Sequence, residues 1–291
     1  MATGTSSTPP IARTVAEVRG AVADARRAGR TICFVPTMGA LHAGHVSLIH
    51  AAAKAVDPFI VVSIYVNPKQ FGPNEDFTAY PRALDADAKT CAEAGVHLLF
   101  VPETTEIYPP GDQTRVVPGP LADALCGPYR PGHFEGVCTV VARLFNIVTP
   151  DIAYFGQKDA QQAVIIRRMV EDLRMPVEIH VCSLVRDADG LALSSRNTRL
   201  RPEDREGALL LYKALYAGKD RIEAGETSMG RVIAAMKSVV SGAADISTDY
   251  LSVVDPDTLT ELSGPQPRMM IAGAIRLAGV RLIDNILVNL P

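Results

Sequence analysis

What most constrains this chain is an alternation. Between residues 15 and 182, short aliphatic runs with no polar face (31–35, 59–66, 96–101, 151–155 and 177–182) take turns with stretches of helical pattern (15–28, 46–56, 80–94, 136–148 and 159–173). The stretch 136–148 shows the helical spacing plainly, with apolar residues at 137, 140, 141, 144, 145 and 148. A strand that is apolar on both sides must be covered on both sides, and strands joined through helices run parallel when they share a sheet. The expected fold is α/β, a doubly wound parallel sheet.

After residue 183 the rhythm changes. Two charged helical stretches (203–224 and 227–241) precede three strand-like runs near 248–253, 269–277 and 281–288, which predicts a smaller α+β domain. With 291 residues the chain is long enough for two domains, and the change of pattern divides it into 1–184 and 185–291, with a hinge expected at 186–190. Residues 1–10 are rich in Thr, Ser and Pro and lack the basic and apolar regions of an export signal, so they are expected to be a disordered lead-in.

Composition excludes several functions. A net charge of −3, from 29 basic and 32 acidic residues, is unsuited to holding a nucleic-acid backbone by bulk charge, so any phosphate must be handled at a local site. The longest apolar run, 59–66, is far short of a membrane span. Five cysteines without a C-x-x-C pair fit neither a disulfide framework nor a zinc ribbon. Reduced thiols in a cytoplasmic enzyme are expected instead.

Three segments could carry chemistry. The first strand runs into residues 36–45 (PTMGALHAGH), and a helix follows. In an open parallel sheet ligands sit beyond the carboxyl ends of strands, where a helix start offers free N–H groups and a positive dipole end. Gly39 and Gly44 would let a phosphate approach the backbone, and His42 and His45 could face it together. The same histidines could also be ordinary turn residues or two ligands of a metal. The second segment, 155–162 (FGQKDAQQ), places Lys158 as a point charge after a strand, with Asp159 able to cap the next helix; alone, Lys158 reads equally well as a solvated surface residue. The third, 193–197 (LSSRN), sets hydroxyls beside the Arg196 guanidinium, as a phosphate loop or a plain polar turn would.

Together these segments resemble a known group of enzymes. Residues 42–45 (HAGH) resemble the HIGH signature of the adenylyl-transferring superfamily that includes class I aminoacyl-tRNA synthetases, and 193–196 (LSSR) its KMSKS-type loop. With 65–71 (YVNPKQF), 80–82 (YPR), 130–134 (RPGHF), 156–159 (GQKD) and 194–197 (SSRN), the blocks resemble the pantoate–β-alanine ligase family. The resemblance implies a Rossmann-like N-terminal domain, a C-terminal lid and a homodimer formed through the N-terminal domain. It implies condensation of pantoate with β-alanine at the expense of ATP through a pantoyl adenylate, releasing AMP and pyrophosphate, with Mg2+ required.

Carried over residue by residue, the resemblance makes His42, His45, Lys158 and Arg196 the catalytic groups, with His45 the candidate proton donor. Pro36, Met38, Gly39, Ala40, Leu41, Ala43 and Gly44 would line the ATP site with the two histidines. Gly156, Gln157, Lys158, Asp159, Val185, Leu193, Ser194, Ser195 and Arg196 would complete it. Gln70 and Gln162 would hold pantoate, Gln70 also lying near β-alanine. For Mg2+, Asp87 is the better protein candidate, because the acids Asp85 and Asp87 are interrupted by Ala86; the alternative is that ATP phosphates and water hold the metal. The chain departs from the family at Leu193 (often Met), Ala160 (often Tyr) and Ala43 (often acidic), departures expected to alter the shape of the adenine pocket rather than abolish activity. Two other functions are compatible with such segments: a nucleotidylyltransferase that stops at the adenylylated product, and a nucleotide-binding regulatory module without turnover.

Overall fold

A computed structural model of the chain describes residues 8–73, 75–242 and 245–290. Its secondary structure runs β1 (Ile11–Ala12), α1 (Val15–Arg27), β2 (Thr31–Thr37), α2 (Ala43–Ala52), β3 (Pro58–Ile64), α3 (Leu84–Glu93), β4 (Leu98–Phe100) and α4 (Thr104–Ile107). There follow α5 (His133–Val148), β5 (Ile152–Gly156), α6 (Ala160–Asp172), β6 (Glu178–Cys182), α7 (Arg205–Glu223), α8 (Met229–Val240), β7 (Ile246–Val254), β8 (Arg268–Leu277) and β9 (Val280–Asn289).

The first six strands form one parallel sheet in the order β1-β4-β3-β2-β5-β6. Alternate residues of β2 serve opposite faces, as the unbroken apolar run requires. Cys33 and Val35 pack with Leu48 and Ile49 of α2, whereas Phe34 meets Phe145 of α5 edge-on with ring centres 6.4 Å apart. Helices cover both sides, so the expected doubly wound sheet is what forms. β2 runs past the apolar stretch 31–35 through Pro36 to Thr37. The β2–β5 ladder pairs only Cys33 and Phe34, so Pro36 lies past its end, where a missing N–H breaks no bond to β5. The strand order reverses between β2 and β5, making this the switch point at which open α/β sheets receive ligands.

Two compact units emerge. Unit 1 holds the described residues up to Pro118 together with Gly132–Gly156 and Ile166–Ser183; unit 2 holds Gly119–Pro131, Gln157–Ile165 and the chain from Leu184 onward. Unit 2 is built on the antiparallel sheet β7-β8-β9. Leu211 and Leu215 of α7 and Val232 and Met236 of α8 pack with Ile271 and Ile275 of β8 in its core.

The division differs from a single cut near 184, because two earlier segments belong to unit 2. Gln161, buried at the start of α6, explains part of this: its Oε1 accepts the Cys126 N–H at 2.9 Å, and its Nε2 donates to the Leu121 and Ala124 carbonyls. Leu121, Ala124, Ala160 and Val164 then pack against Val254, Met270 and Ala272.

The expected hinge is tied down within unit 2. Arg186 pairs with Ala192 in a β-bridge, and Arg205 forms ion pairs with both Asp187 and Asp189. Of the expected disordered lead-in, residues 1–7 lie outside the described residues, while Pro9 is buried and the Pro10 carbonyl accepts the Leu99 N–H at 3.0 Å. All five cysteines are free, and no helix among the described residues is long and apolar enough to cross a membrane.

Candidate active site

In unit 1 the site begins where β2 ends. The Thr37 hydroxyl donates to the Ser63 carbonyl at 2.7 Å and accepts the Gly39 N–H at 3.1 Å, so the chain turns sharply. Gly39 takes φ +81°, and a Cβ there would stand 2.9 Å from an Asp87 carboxylate oxygen, so the position requires glycine. Ala40 also has positive φ, at 51°, a conformation that needs outside support. Asp87 supplies it. From the first turn of α3, its Oδ2 accepts the Ala40 N–H at 2.9 Å and its Oδ1 the Leu41 N–H at 2.7 Å. The carboxylate is 3% exposed and lies at a helix start, where the dipole favours an anion.

The loop delivers His42 to the N-cap of α2 and His45 to the third position of its first turn. The helix thus starts earlier than the expected 46–56, because imidazoles rather than a Ser or Asp do the capping. His42 Nδ1 accepts the Gly44 N–H at 3.1 Å, and His45 Nδ1 accepts the His42 N–H at 3.3 Å. A ring nitrogen that accepts carries no proton, so each neutral imidazole holds its proton on Nε2 and acts there as a donor. The ring centres are 4.1 Å apart. The pair therefore presents two oriented N–H donors at a positive helix end.

Gln70 belongs to the same unit. Its Nε2 donates to the Met38 sulfur at 3.3 Å, its Oε1 accepts from Asn67 Nδ2 at 3.1 Å, and its carbonyl oxygen accepts from His133 Nδ1 at 2.8 Å. Asn67, 1% exposed, is in turn fixed by the Tyr108 hydroxyl, which donates to Asn67 Oδ1 at 2.9 Å. This relay orients the Gln70 amide with its NH2 as donor. Nearby, Asp112 forms ion pairs with Lys69, Arg115 and Arg143. Arg143 and then Lys69 hold its carboxyl down at about 2.

Unit 2 carries the remaining candidates. Residues Gln157–Asp159 form a single 3-10 turn, with Lys158 Nζ 3.8 Å from Asp159 Oδ1. Ser194 caps a short 3-10 helix by accepting the Arg196 N–H, and Ser195 is buried. The Leu193 N–H donates to the Val185 carbonyl at 3.1 Å, so these two candidates are paired through backbone. Gln162 is half-buried in the first turn of α6, beside the structural Gln161.

Pro36, Met38 to His45, Gln70, Asp87 and Gly156 thus lie in unit 1, and Gln157 to Asp159, Gln162, Val185 and Leu193 to Arg196 in unit 2. Asn67, Tyr108 and His133 received no role from the sequence; only their burial and bonding mark them. Among the described residues no group of three or more His, Cys, Asp and Glu is arranged to hold a metal ion. Asp87, the metal candidate, already spends both oxygens on backbone amides.

A parallel sheet with an order reversal and a donor-lined helix start beyond it defines a doubly wound α/β protein of the kind that handles anionic ligands at strand ends. The pattern of the family described as Pantoate-beta-alanine ligase matches residues 10–287. The chain is 50% identical over 277 residues to pantothenate synthetase of Moorella thermoacetica, covering 95% of this chain and 98% of that one. It is 47% identical to pantothenate synthetase 1 of Bradyrhizobium diazoefficiens, covering 94% and 96%. Among solved structures, pantothenate synthetase of Thermus thermophilus superposes with a TM-score of 0.89 at 46% identity, covering 95% and 98%. The pantoate–β-alanine ligase of Francisella tularensis, complexed with β-γ ATP and β-alanine, superposes at 0.77 with 35% identity, covering 96% and 97%. The chain belongs to the pantoate–β-alanine ligase family.

Proposed function

We propose that this chain joins pantoate to β-alanine through a pantoyl adenylate. As a member of its family it is an ATP-dependent ligase of these two substrates. In the first step a pantoate carboxylate oxygen attacks the α-phosphorus of ATP, the bond to the bridging oxygen breaks, and pyrophosphate leaves. In the second the β-alanine amine attacks the acyl carbon, AMP leaves, and the amine proton passes to solvent. Each nucleophile comes from a substrate, so the protein supplies position and charge rather than a Ser or Cys.

The observation that carries this reading is the imidazole pair at the start of α2. Both Nε2–H groups are donors whose direction is set by the backbone bonds at Nδ1. Donors fixed before the reaction stabilise charge that grows on phosphate oxygens without reorganising. We assign the His45 Nε2–H as a hydrogen-bond donor to the leaving phosphate, able to pass on a proton only if the ring is first charged and the bond at Nδ1 given up, Lys158 as the charge that neutralises the α-phosphate, and Arg196 as a forked partner for phosphate oxygens. Gln70, with Gln162, holds pantoate: its NH2 is a neutral donor to a hydroxyl or carboxylate oxygen. A neutral amide orients the acid without the ground-state stabilisation of an ion pair. Asp87 holds the loop, not a metal. We therefore assign the Mg2+ that accompanies ATP to the phosphates and water.

Free thiols throughout support a cytoplasmic enzyme. A homodimer formed through the N-terminal domain is proposed by family likeness; light scattering that finds a monomer at micromolar concentration would remove it. The reaction itself is tested by pantoate-dependent exchange of pyrophosphate into ATP. Exchange that needs pantoate but not β-alanine is expected, and His45→Ala lowers it about 100-fold. ATP binding without such exchange would leave a nucleotide-binding module in place of a ligase.

A further inference from the structure

A single 3-10 turn has poor hydrogen-bond geometry and does not by itself fix a long side chain, yet Gln157–Asp159 carries Lys158. Asn285, on β9 and 4% exposed, meets this turn with its whole carboxamide. Its Nδ2 donates to the Gln157 carbonyl at 2.9 Å and to the Lys158 carbonyl at 3.1 Å, and its Oδ1 accepts from Gln157 Nε2 at 3.1 Å. The amide can face only one way, because reversing it would set its oxygen against two carbonyls. The neighbouring Asp284 grips Arg186 through both oxygens, at 2.6 and 2.9 Å. Arg186 NH1 also donates to the Gly190 carbonyl, and Asp284 Oδ1 accepts the Asn285 N–H at 2.7 Å. Two adjacent residues of β9 thus hold both the Lys158 turn and the segment leading to Ser194 and Arg196, all within unit 2.

We propose that Asn285 is a positioning residue for Lys158, clamping the backbone on either side of it so that the ammonium is presented for adenylyl transfer. The proposal rests on the reading of Lys158 as the charge at phosphorus. A buried asparagine serving only the fold would predict the same bonds, so the test must separate the two.

The experiment is a double-mutant cycle on the full chain, read as the pantoate-dependent exchange rate, with folding checked by circular dichroism. Lys158→Ala comes first: if it keeps wild-type exchange, the role of Lys158 is lost and Asn285 has nothing to position. With that role intact, Asn285→Ala is expected to lower kcat about 10- to 100-fold while the KM for pantoate stays within about twofold. In the Lys158→Ala background the same change should cost nothing further. Asn285→Asp, equal in size but with an acceptor facing the two carbonyls, should show the same pattern. Wild-type exchange in a folded Asn285 variant, losses that multiply with that of Lys158→Ala, or failure of both variants to fold would overturn the proposal, the last assigning Asn285 to the fold alone.

Discussion

Asp87 shows how one buried side chain decides where the chemistry can be. Its two oxygens satisfy the N–H groups of Ala40 and Leu41, one of them in left-handed backbone. Those groups would otherwise be left unmet in a tight loop. Asp87→Asn keeps the size but turns an NH2 group toward an N–H donor, leaving a buried donor unpaired, which costs about 1–3 kcal/mol. The expected outcome is a lower urea midpoint together with a pantoate-dependent exchange rate reduced at least about tenfold, because the loop aims His42. A variant with unchanged midpoint and rate would show that the loop holds its own shape. In the sequence Asp87 looks like any acid of a helix start, as compatible with a Mg2+ ligand as with a metal held by ATP phosphates and water; that the carboxylate is buried against a loop 46 and 47 residues earlier is not written in local pattern. His42 and His45 were legible because their spacing at a strand-to-helix junction is itself the signal. Asn67 and Tyr108, which aim Gln70, were not.

At the scale of elements, the sheet was readable because strands covered on both faces must be apolar throughout, as 31–35 and 59–66 are. The two-residue strand β1 was not, since it is too short for any period. Nor was the exchange of segments between the units, which depends on single contacts such as those of Gln161. The packing of α5 on the turn that holds Gln70 is equally a matter of one atom. A Cβ on Gly136 would stand 2.2 Å from the Lys69 carbonyl oxygen and 2.7 Å from Gln70 Cα, both backbone atoms that cannot swing away. Gly136→Ala should therefore destabilise by about 1–3 kcal/mol and displace Gln70. The measurements are the urea midpoint and the KM for pantoate, which should rise about tenfold, as loss of an aligned binding group implies. If both stay at wild-type values, helix and turn are not in the contact described.

For the molecule as a whole, acid stability follows from paired carboxylates in both units. Asp112 in unit 1 is held near 2 by Arg143 and Lys69, against an ordinary 3.8. Asp204, beside Arg201, and Asp189, beside Arg205, are lowered in unit 2. A carboxyl whose folded value is depressed stabilises fully above its unfolded value, and that contribution is lost as pH falls through the folded one. Asp284 runs the other way: burial raises it against the pull of Arg186, so ionising it costs stability as pH rises through its folded value. The difference in urea midpoint between wild type and Asp112→Asn should accordingly shrink as pH falls from about 4 toward about 2. A constant difference across that window would mean that the ion pairs of Asp112 contribute nothing to folding.

The proposed reaction turns on one bond, formed between a pantoate carboxylate oxygen and the α-phosphorus of ATP. Pantoate labelled with oxygen-18 in its carboxylate, turned over with ATP and β-alanine, tests it directly by mass spectrometry of the products. One labelled oxygen is expected in AMP and none in pyrophosphate. Unlabelled AMP, or label in pyrophosphate or inorganic phosphate, would contradict it.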